Sequence, residues 1–157
     1  YAGSIQARFL VDHGLASRGG IAIGDCFHDG TVFFGPALVD AYKTESRDAV
    51  VPRLLLHSSA ISCVDGSPVP MREDPDGKGP YLDFLRIGLP DGDAAQTAYL
   101  AGARAAIVAA PTAIDDRHPK RDSQLANWQW LASYFDALLA ELSTGVVEPI
   151  GDLEAPW

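Results

Sequence analysis

The glycine-rich segment 18–48 constrains the fold more than any other part of the chain. Ile21 and Ile23 alternate with Gly and Ala over 19–24, which predicts a short buried strand that a second backbone can approach closely. Asp29-Gly30 is typical of a hairpin turn, so we expect residues 31–34 to return antiparallel to that strand. Pro36 then suits the first position of a helix. The segment therefore predicts a strand, a turn, a second strand and a helix.

Hydrophobic periodicity predicts further elements on either side of this segment. Helices are expected at 4–13, at 93–110 and from Asp122 or Ser123 to Gly145, and strands are expected at 53–57 and 81–87. Ser4 is the expected N-cap of the first helix, in which Ile5, Phe9 and His13 share one face. Proline, glycine and acidic residues fill 67–80, which predicts a loop. These elements indicate an α/β protein of the α+β kind, with a mostly antiparallel sheet and helices packed on one face.

Length and charge limit the organisation and the partners of the chain. A length of 157 residues favours one domain, which we place at 1–145, followed by a tail at 146–157. The net charge of −9 argues against a nucleic-acid interface, which shows a basic patch, and against attraction to anionic lipid. The longest apolar runs are too short for a transmembrane helix, so no membrane contact is expected.

The cysteines and the first residues indicate where the protein works. Cys26 and Cys63 do not form a Cys-x-x-Cys pair, so we expect free thiols and a cytoplasmic location. No basic segment followed by an apolar one opens the chain, so no signal peptide is expected. The chain has no initiator methionine and begins inside a predicted helix, which suggests a fragment or an N-terminally trimmed product.

The glycines and the polar residues of the hairpin can each be interpreted as functional or as structural. Its glycines either let the backbone approach a phosphate or a base, or they form a tightly packed hairpin. Their spacing is not Gly-x-Gly-x-x-Gly, which favours the hairpin. Asp25, His28 and Asp29 are potential ligands of a divalent metal ion, but such residues are also typical of a solvated turn.

Two other clusters can also be interpreted as either functional or structural. Asp74-x-Asp76-Gly77 resembles the start of a calcium loop but lacks the later glutamate, which favours a solvated turn. His57 and Ser59 could belong to a hydrolase, but no Gly-x-Ser-x-Gly elbow is present, and a serine pair after a strand is typical of a helix cap.

The segment also resembles a known family. Arg18-Gly-Gly-Ile-Ala-Ile-Gly24 and Phe33-Phe-Gly-Pro-Ala-Leu-Val-Asp-Ala-Tyr-Lys-Thr-Glu-Ser46 resemble the second half of a class III nucleotidyl cyclase domain. That family has an Arg-x-Gly-Ile-His-x-Gly strand, a hairpin, and a helix with the pattern Gly-Asp-Thr-Val-Asn-x-Ala-x-Arg-x-Glu-Ser. Within the family, this variant looks closest to the bacterial pyrimidine cyclases of anti-phage signalling, the Pycsar systems. Trp130-Leu-Ala-x-Tyr-Phe is similar to their C-terminal helix.

The resemblance implies a fold, an activity and a partner. The fold would be the ferredoxin-like core of class III cyclases, and the protein would form a homodimer with shared active sites. The activity would be conversion of a nucleoside triphosphate, UTP or CTP, to cUMP or cCMP and pyrophosphate in antiviral defence. Two divalent metal ions, Mn²⁺ or Mg²⁺, would be held by aspartates that lie upstream of this chain, so no metal ligand is assigned to it.

The resemblance also assigns residues to the site. Lys43 and Arg18 would be catalytic, offsetting charge in the transition state. Val32, Phe34 and Gly35 would belong to the base pocket, and Val39 would also contact the substrate.

Three of these positions depart from the family pattern. Val39 and Lys43 occupy the positions of the transition-state Asn and Arg, and Val32 occupies that of the purine-selecting Asp. Valine cannot accept a purine's hydrogen bond, which favours a pyrimidine, and Lys43 offers a point charge in place of the arginine fork. The loss of the Asn–Arg pair leaves an alternative open, namely a non-catalytic cyclase-like domain for dimerisation or ligand sensing.

Overall fold

The computed structural model describes residues 1–142, 145 and 147–153, which form two compact units. One unit combines Tyr1–Ser17 with Phe84–Trp157, and the other is Arg18–Asp83. The first, here called the helical unit, contains α-helices and a 3₁₀ turn: α1 (Ala2–His13), α4 (Phe84–Ile87), α5 (Asp93–Ala109), the 3₁₀ turn (Ala110–Ala113) and α6 (Arg121–Leu142). The second, the sheet unit, contains the strands and the remaining helices. None of the helices in these described ranges is long and apolar enough to cross a membrane.

Helix α1 packs through a different face from the one that periodicity predicts. It begins at Ala2 with Tyr1 as its N-cap, so the predicted cap at Ser4 is wrong. Ile5 and Phe9 are 51% and 44% exposed, and the buried positions are Gly3, Gln6, Ala7 and Leu10. The small residues Gly3 and Ala7 allow close packing, as a Cβ added to Gly3 would lie 2.7 Å from the Ile87 side chain. The expected end of α1 at Gly14 is confirmed, with φ at 63°.

The apolar repeat of α6 forms the core of the helical unit, as its spacing predicts. The buried side chains of α6 are Trp128, Leu131, Ala132, Tyr134, Phe135, Leu138 and Leu139. They pack with the buried positions Leu100, Ala103 and Ile107 of α5. Tyr134 joins α4 to this core, because its ring lies 5.1 Å from that of Phe84 and its hydroxyl accepts the Leu85 N–H at 3.2 Å.

The segment 147–153 is held along α5 and α6 by side chains that bind its backbone. The Asp136 carboxylate accepts the N–H groups of Ile150 at 2.7 Å and Gly151 at 2.9 Å. Arg104 donates to the carbonyl of Glu148 at 2.9 Å. This segment is part of the predicted tail 146–157; residues 146 and 154–157 lie outside the described residues.

The sheet unit is built from a four-stranded mixed sheet and a separate hairpin. Its elements are β1 (Gly19–Ile21), β2 (Phe27–Asp29), β3 (Val32–Phe34), α2 (Pro36–Lys43), a π-helical turn (Thr44–Asp48), β4 (Leu54–Leu56), α3 (Ser58–Val64), β5 (Met71–Glu73) and β6 (Pro80–Leu82). The sheet order is β1-β4-β6-β5, with β1 parallel to β4 and the other two pairings antiparallel. The protein is therefore mixed α/β, as predicted, with a mixed sheet.

Several predicted elements of the sheet unit need correction. The strand β3 pairs with β2 and not with β1, and the residues of β2 are not predicted to form a strand. The predicted loop 67–80 contains the strand β5, and the predicted strand 81–87 is β6 followed by α4. In both cases the strands are three residues long, so local sequence alone carries little of the signal that forms them.

Candidate functional site

The candidate site is built where β1 packs against the end of α2. Gly20 makes this approach possible, because a Cβ at this position would lie 2.2 Å from the Ala41 carbonyl oxygen and 2.8 Å from the Thr44 side chain. The same Cβ would lie 3.0 Å from the backbone nitrogen of Glu45. Only glycine fits here, so the sequence Arg-Gly-Gly brings Arg18 close to the turn that follows α2.

Arg18 is held by an ion pair with Glu45. The guanidinium Nε donates to Glu45 Oε1 at 2.7 Å, and the two side chains are 46% and 28% exposed. Glu45 belongs to the π-helical turn, in which the Ala49 N–H donates to the Thr44 carbonyl at 3.0 Å. Such turns occur frequently at functional sites. Arg18 is thus a partly exposed cation whose position depends on Glu45.

Lys43 is the last residue of α2 and is exposed. Val39, four residues earlier on the same helix, is 48% exposed, so the two side chains are neighbours on one face. Within the described ranges Lys43 makes no ion pair, and its charge is therefore available to a ligand.

Val32 and Phe34 lie on one face of β3, because side chains alternate along a strand. Phe34 pairs with Phe27 across the hairpin, with ring centroids 4.9 Å apart, and Phe33 meets His28 on the other face at 6.1 Å. Val32 and Phe34 are nevertheless 50% and 56% exposed.

Gly35 makes the turn from β3 into α2. Its φ of 155° is strained for other residues, and an added Cβ would lie 2.4 Å from the Asp25 carbonyl oxygen. Gly35 therefore sets the angle between the hairpin and α2, which carry the other candidate residues.

The hairpin and α2 together expose an unusual amount of apolar side chain, which we call the hairpin–helix surface. Its large apolar side chains are between 40% and 66% exposed: Phe27, Val32, Phe34, Leu38, Val39 and Tyr42. Large exposed apolar areas on soluble proteins mark interaction sites or ligand-binding surfaces. Every candidate substrate-binding side chain named above lies on this surface.

The candidate metal ligands are not brought together. Among the described residues, no three His, Cys, Asp or Glu side chains are grouped so that they could hold a metal ion. His28 lies against Phe33, on the opposite face of the hairpin from Asp29. The residues present do not fit a metal ion in this part of the protein.

Asp74, the first residue of the proposed calcium loop, has a structural role. Its carboxylate is fully buried and accepts both terminal nitrogens of Arg53, at 2.6 and 3.0 Å. It also accepts the backbone N–H groups of Asp76 at 3.2 Å and Lys78 at 3.1 Å. The loop is therefore closed on an arginine instead of a cation from solution.

Arg53 is the main feature that sequence reasoning missed. It is 1% exposed although it precedes an apolar strand, and its guanidinium lies 5.7 Å from the ring centroid of Tyr81. A second pair, Arg72 with Asp83 at 2.9 Å, lies beside the same ring. A charge at the start of a buried strand requires a buried partner, which is the signal that could have directed attention to the acidic loop.

His57 and Ser59 form a local cap. His57 Nδ1 lies 2.9 Å from Ser59 Oγ and accepts the Ser59 N–H at 3.3 Å, which satisfies the first turn of α3. The Ser59 hydroxyl accepts the Ile23 N–H at 3.1 Å and so links α3 to the residues that follow β1. A helix does begin here, but its cap is His57 and not the serine pair that the sequence predicts, because Ser58 and Ser59 are the first residues of α3.

Comparisons with protein-family models, with curated proteins and with solved structures found no match to this chain.

Proposed function

We propose that the protein is a nucleotide cyclase that converts UTP or CTP to a 3′,5′-cyclic nucleotide and pyrophosphate in anti-phage signalling. The observation that carries the proposal is the arrangement of segment 18–46. Arg18 stands at the start of β1, the exposed pair Val39–Lys43 lies on one face of α2, and the exposed Val32 and Phe34 precede this helix. These are the residues that the sequence resemblance to class III cyclases assigns to substrate. A ferredoxin-like core of that family is part of the proposal.

In the proposed reaction the ribose 3′-oxygen attacks the α-phosphorus and its proton is lost. The bond between the α-phosphorus and the bridging oxygen breaks, and pyrophosphate leaves. Negative charge grows on the phosphoryl oxygens, and a cation fixed nearby lowers the energy of that state. Lys43 supplies such a cation as a single charge on a flexible stem. Two Mn²⁺ or Mg²⁺ ions bound by aspartates of an upstream segment belong to the proposal, since no group of three potential ligands is found among the described residues.

A pyrimidine substrate is favoured by the side chains of the hairpin. Val32 and Phe34 offer apolar surface, and Val32 leaves no hydrogen-bond acceptor at the position where the resemblance places the purine-selecting aspartate. A site that relied on such an acceptor would reject a base that lacks the matching donor, whereas an apolar site does not.

The hairpin–helix surface supports a homodimer with shared active sites in the cytoplasm. A second copy that covers this surface would remove the exposed apolar side chains from water and would place its own residues beside Lys43 and Val39. Phe34→Ser should therefore shift the sedimentation coefficient towards the monomer. Phe9→Ser is the matched control, since Phe9 is 44% exposed on α1 of the helical unit and should not affect association.

One observation favours a second function, a non-catalytic cyclase-like domain for dimerisation or ligand sensing. Val39 presents an exposed apolar side chain beside Lys43, where a hydrogen-bond donor would serve catalysis better. A domain of this kind would bind a second copy or a nucleotide through the hairpin–helix surface without making a product.

The deciding experiment incubates the intact protein with Mn²⁺ or Mg²⁺ and, separately, with ATP, GTP, CTP and UTP, and separates the products by chromatography. Cyclic UMP or cyclic CMP is expected. No cyclic product from any of the four refutes the enzyme and favours the second function, and cyclic AMP alone refutes the pyrimidine preference. Lys43→Ala should lower turnover about 100-fold with unchanged thermal stability. Lys120→Ala, an exposed lysine of the helical unit, is the control and should leave turnover intact.

A further inference from the structure

The backbone packing at Gly20 brings Arg18 and Glu45 within reach of each other. The close packing at Gly20 places the backbone nitrogen of Glu45 against β1, two residues from Arg18. With the backbones this close, the Glu45 carboxylate lies 2.7 Å from the Arg18 guanidinium. The packing of α2 on β1 therefore places Glu45 next to Arg18.

The ion pair is nevertheless open to exchange. Its side chains are 46% and 28% exposed, and pairs of this kind contribute little to stability. A ligand that carries several negative charges would compete with one carboxylate for the same guanidinium. The other acidic residue of the turn, Asp48, lies 3.8 Å from Lys78 Nζ and so faces a different cation.

We propose that Glu45 is an internal competitor of the triphosphate: it holds Arg18 in place and neutralises it until a polyphosphate displaces the carboxylate. The proposal rests on the proposed function for the identity of the ligand. Glu45 is then a positioning residue that acts through Arg18. It keeps the cation oriented in the empty protein and weakens the binding of ligands with too little charge to displace it.

The test measures binding of inorganic tripolyphosphate by calorimetry, so that it does not depend on turnover. Glu45→Gln should bind tripolyphosphate about two- to fivefold more tightly than the natural protein, since a competing ion pair of this exposure is removed. Arg18→Gln should bind it more weakly, and Arg18→Gln with Glu45→Gln should show no gain over Arg18→Gln alone.

Asp12→Asn is the matched control, because it changes the net charge by the same amount at the exposed pair Arg8–Asp12 of the helical unit. It should leave the affinity unchanged. If Glu45→Gln does not fold, Glu45→Asp, with a shorter reach to Arg18, should show the same direction of change. Equal or weaker binding by the folded Glu45 variant, or an equal gain in Asp12→Asn, overturns the proposal.

Turnover separates this proposal from the proposed function. If the intact protein makes a cyclic nucleotide, Glu45→Gln should lower KM without raising kcat, and an unchanged or higher KM contradicts the proposed competition. If the intact protein makes no cyclic nucleotide while Glu45→Gln still gains affinity for tripolyphosphate, the cyclase proposal fails and the competition between Glu45 and the anion stands.

Discussion

Asp74→Asn should destabilise the sheet unit severely. The carboxylate of Asp74 is the buried counter-charge of Arg53, which is 1% exposed, and it accepts two guanidinium and two backbone N–H groups. An amide keeps the shape but brings its own N–H groups towards the guanidinium and leaves a buried charge unpaired. Breaking a buried pair in this way costs about 3–5 kcal/mol.

That loss is a large part of the free energy of unfolding of an ordinary domain, which is about 5–15 kcal/mol. With a urea m-value of about 2 kcal/mol/M, the midpoint should fall by roughly 2 M. The measurement should combine far-UV circular dichroism with hydrogen exchange at β4 and β6. Tryptophan fluorescence is unsuitable for this unit, because Trp128, Trp130 and Trp157 all follow Asp83 in the sequence.

Two further variants test the reasoning. Asp12→Asn removes one partner of a pair whose side chains are 80% and 45% exposed, and it should change the free energy of unfolding by less than about 0.5 kcal/mol. The double variant Arg53→Met with Asp74→Leu removes both buried charges and should recover part of the lost stability, because the N–H groups of Asp76 and Lys78 still lose their acceptor. A loss below about 1 kcal/mol in Asp74→Asn would refute the role of Asp74 as an essential counter-charge.

Two other predictions follow from close contacts and burial in the sheet unit. Gly20→Ala should lower the free energy of unfolding in urea by about 2–3 kcal/mol, because its Cβ would lie 2.2 Å from the Ala41 carbonyl oxygen. The control is Gly145→Ala, where an added Cβ meets nothing within 4 Å. Equal losses in the two variants would contradict the packing argument. Burial raises the pKa of Tyr81 above its ordinary value of 10.0, although the nearby Arg72 opposes the shift. The folded state holds this phenol proton more tightly than the unfolded chain does. The resulting contribution to the free energy of unfolding is complete below the pKa of the unfolded chain and is lost as pH rises through the higher pKa of the folded state. Tyr81→Phe should therefore lose less stability than the natural protein between about pH 9 and 12, and parallel pH profiles would exclude the effect.

Elements with a strong local signal could be predicted from the sequence. The apolar repeat of α6, the alanine-rich α5 and the apolar run of β4 are all found where expected. The strand β2 has a local partner across the Gly30-Thr31 turn, but its sequence Phe-His-Asp has no strand periodicity of its own. The strand β5, Met-Arg-Glu, pairs with β6 across the loop that precedes Pro80, so its pairing has no short-range signal. The end of β6 at Leu82 is also a tertiary effect, since the following helix α4 is anchored through Tyr134, far along the chain.

The same distinction applies to the candidate site. Helical periodicity places Val39 and Lys43 on one face, and Gly35 is expected from the proline that follows it. The partner of Arg18 is 27 residues away and that of Arg53 is 21 residues away, so neither ion pair has a local pattern. A resemblance to a family supplied the positions of the candidate residues, but only the structure shows what holds them.

The two arginines that precede the parallel strands, Arg18 and Arg53, differ in how accessible their charges are. Gly19 pairs with Leu54, and the Gly19 N–H donates to the Arg53 carbonyl at 3.0 Å, so Arg18 and Arg53 stand at the same end of β1 and β4. Arg53 is closed inside the unit by a buried carboxylate, and its charge is not available to a ligand. Arg18 is paired with a partly exposed carboxylate, the group that the proposed competition has an anion displace. Under the proposed competition, a polyphosphate that binds at this end of the parallel pair would have to displace Glu45 from Arg18.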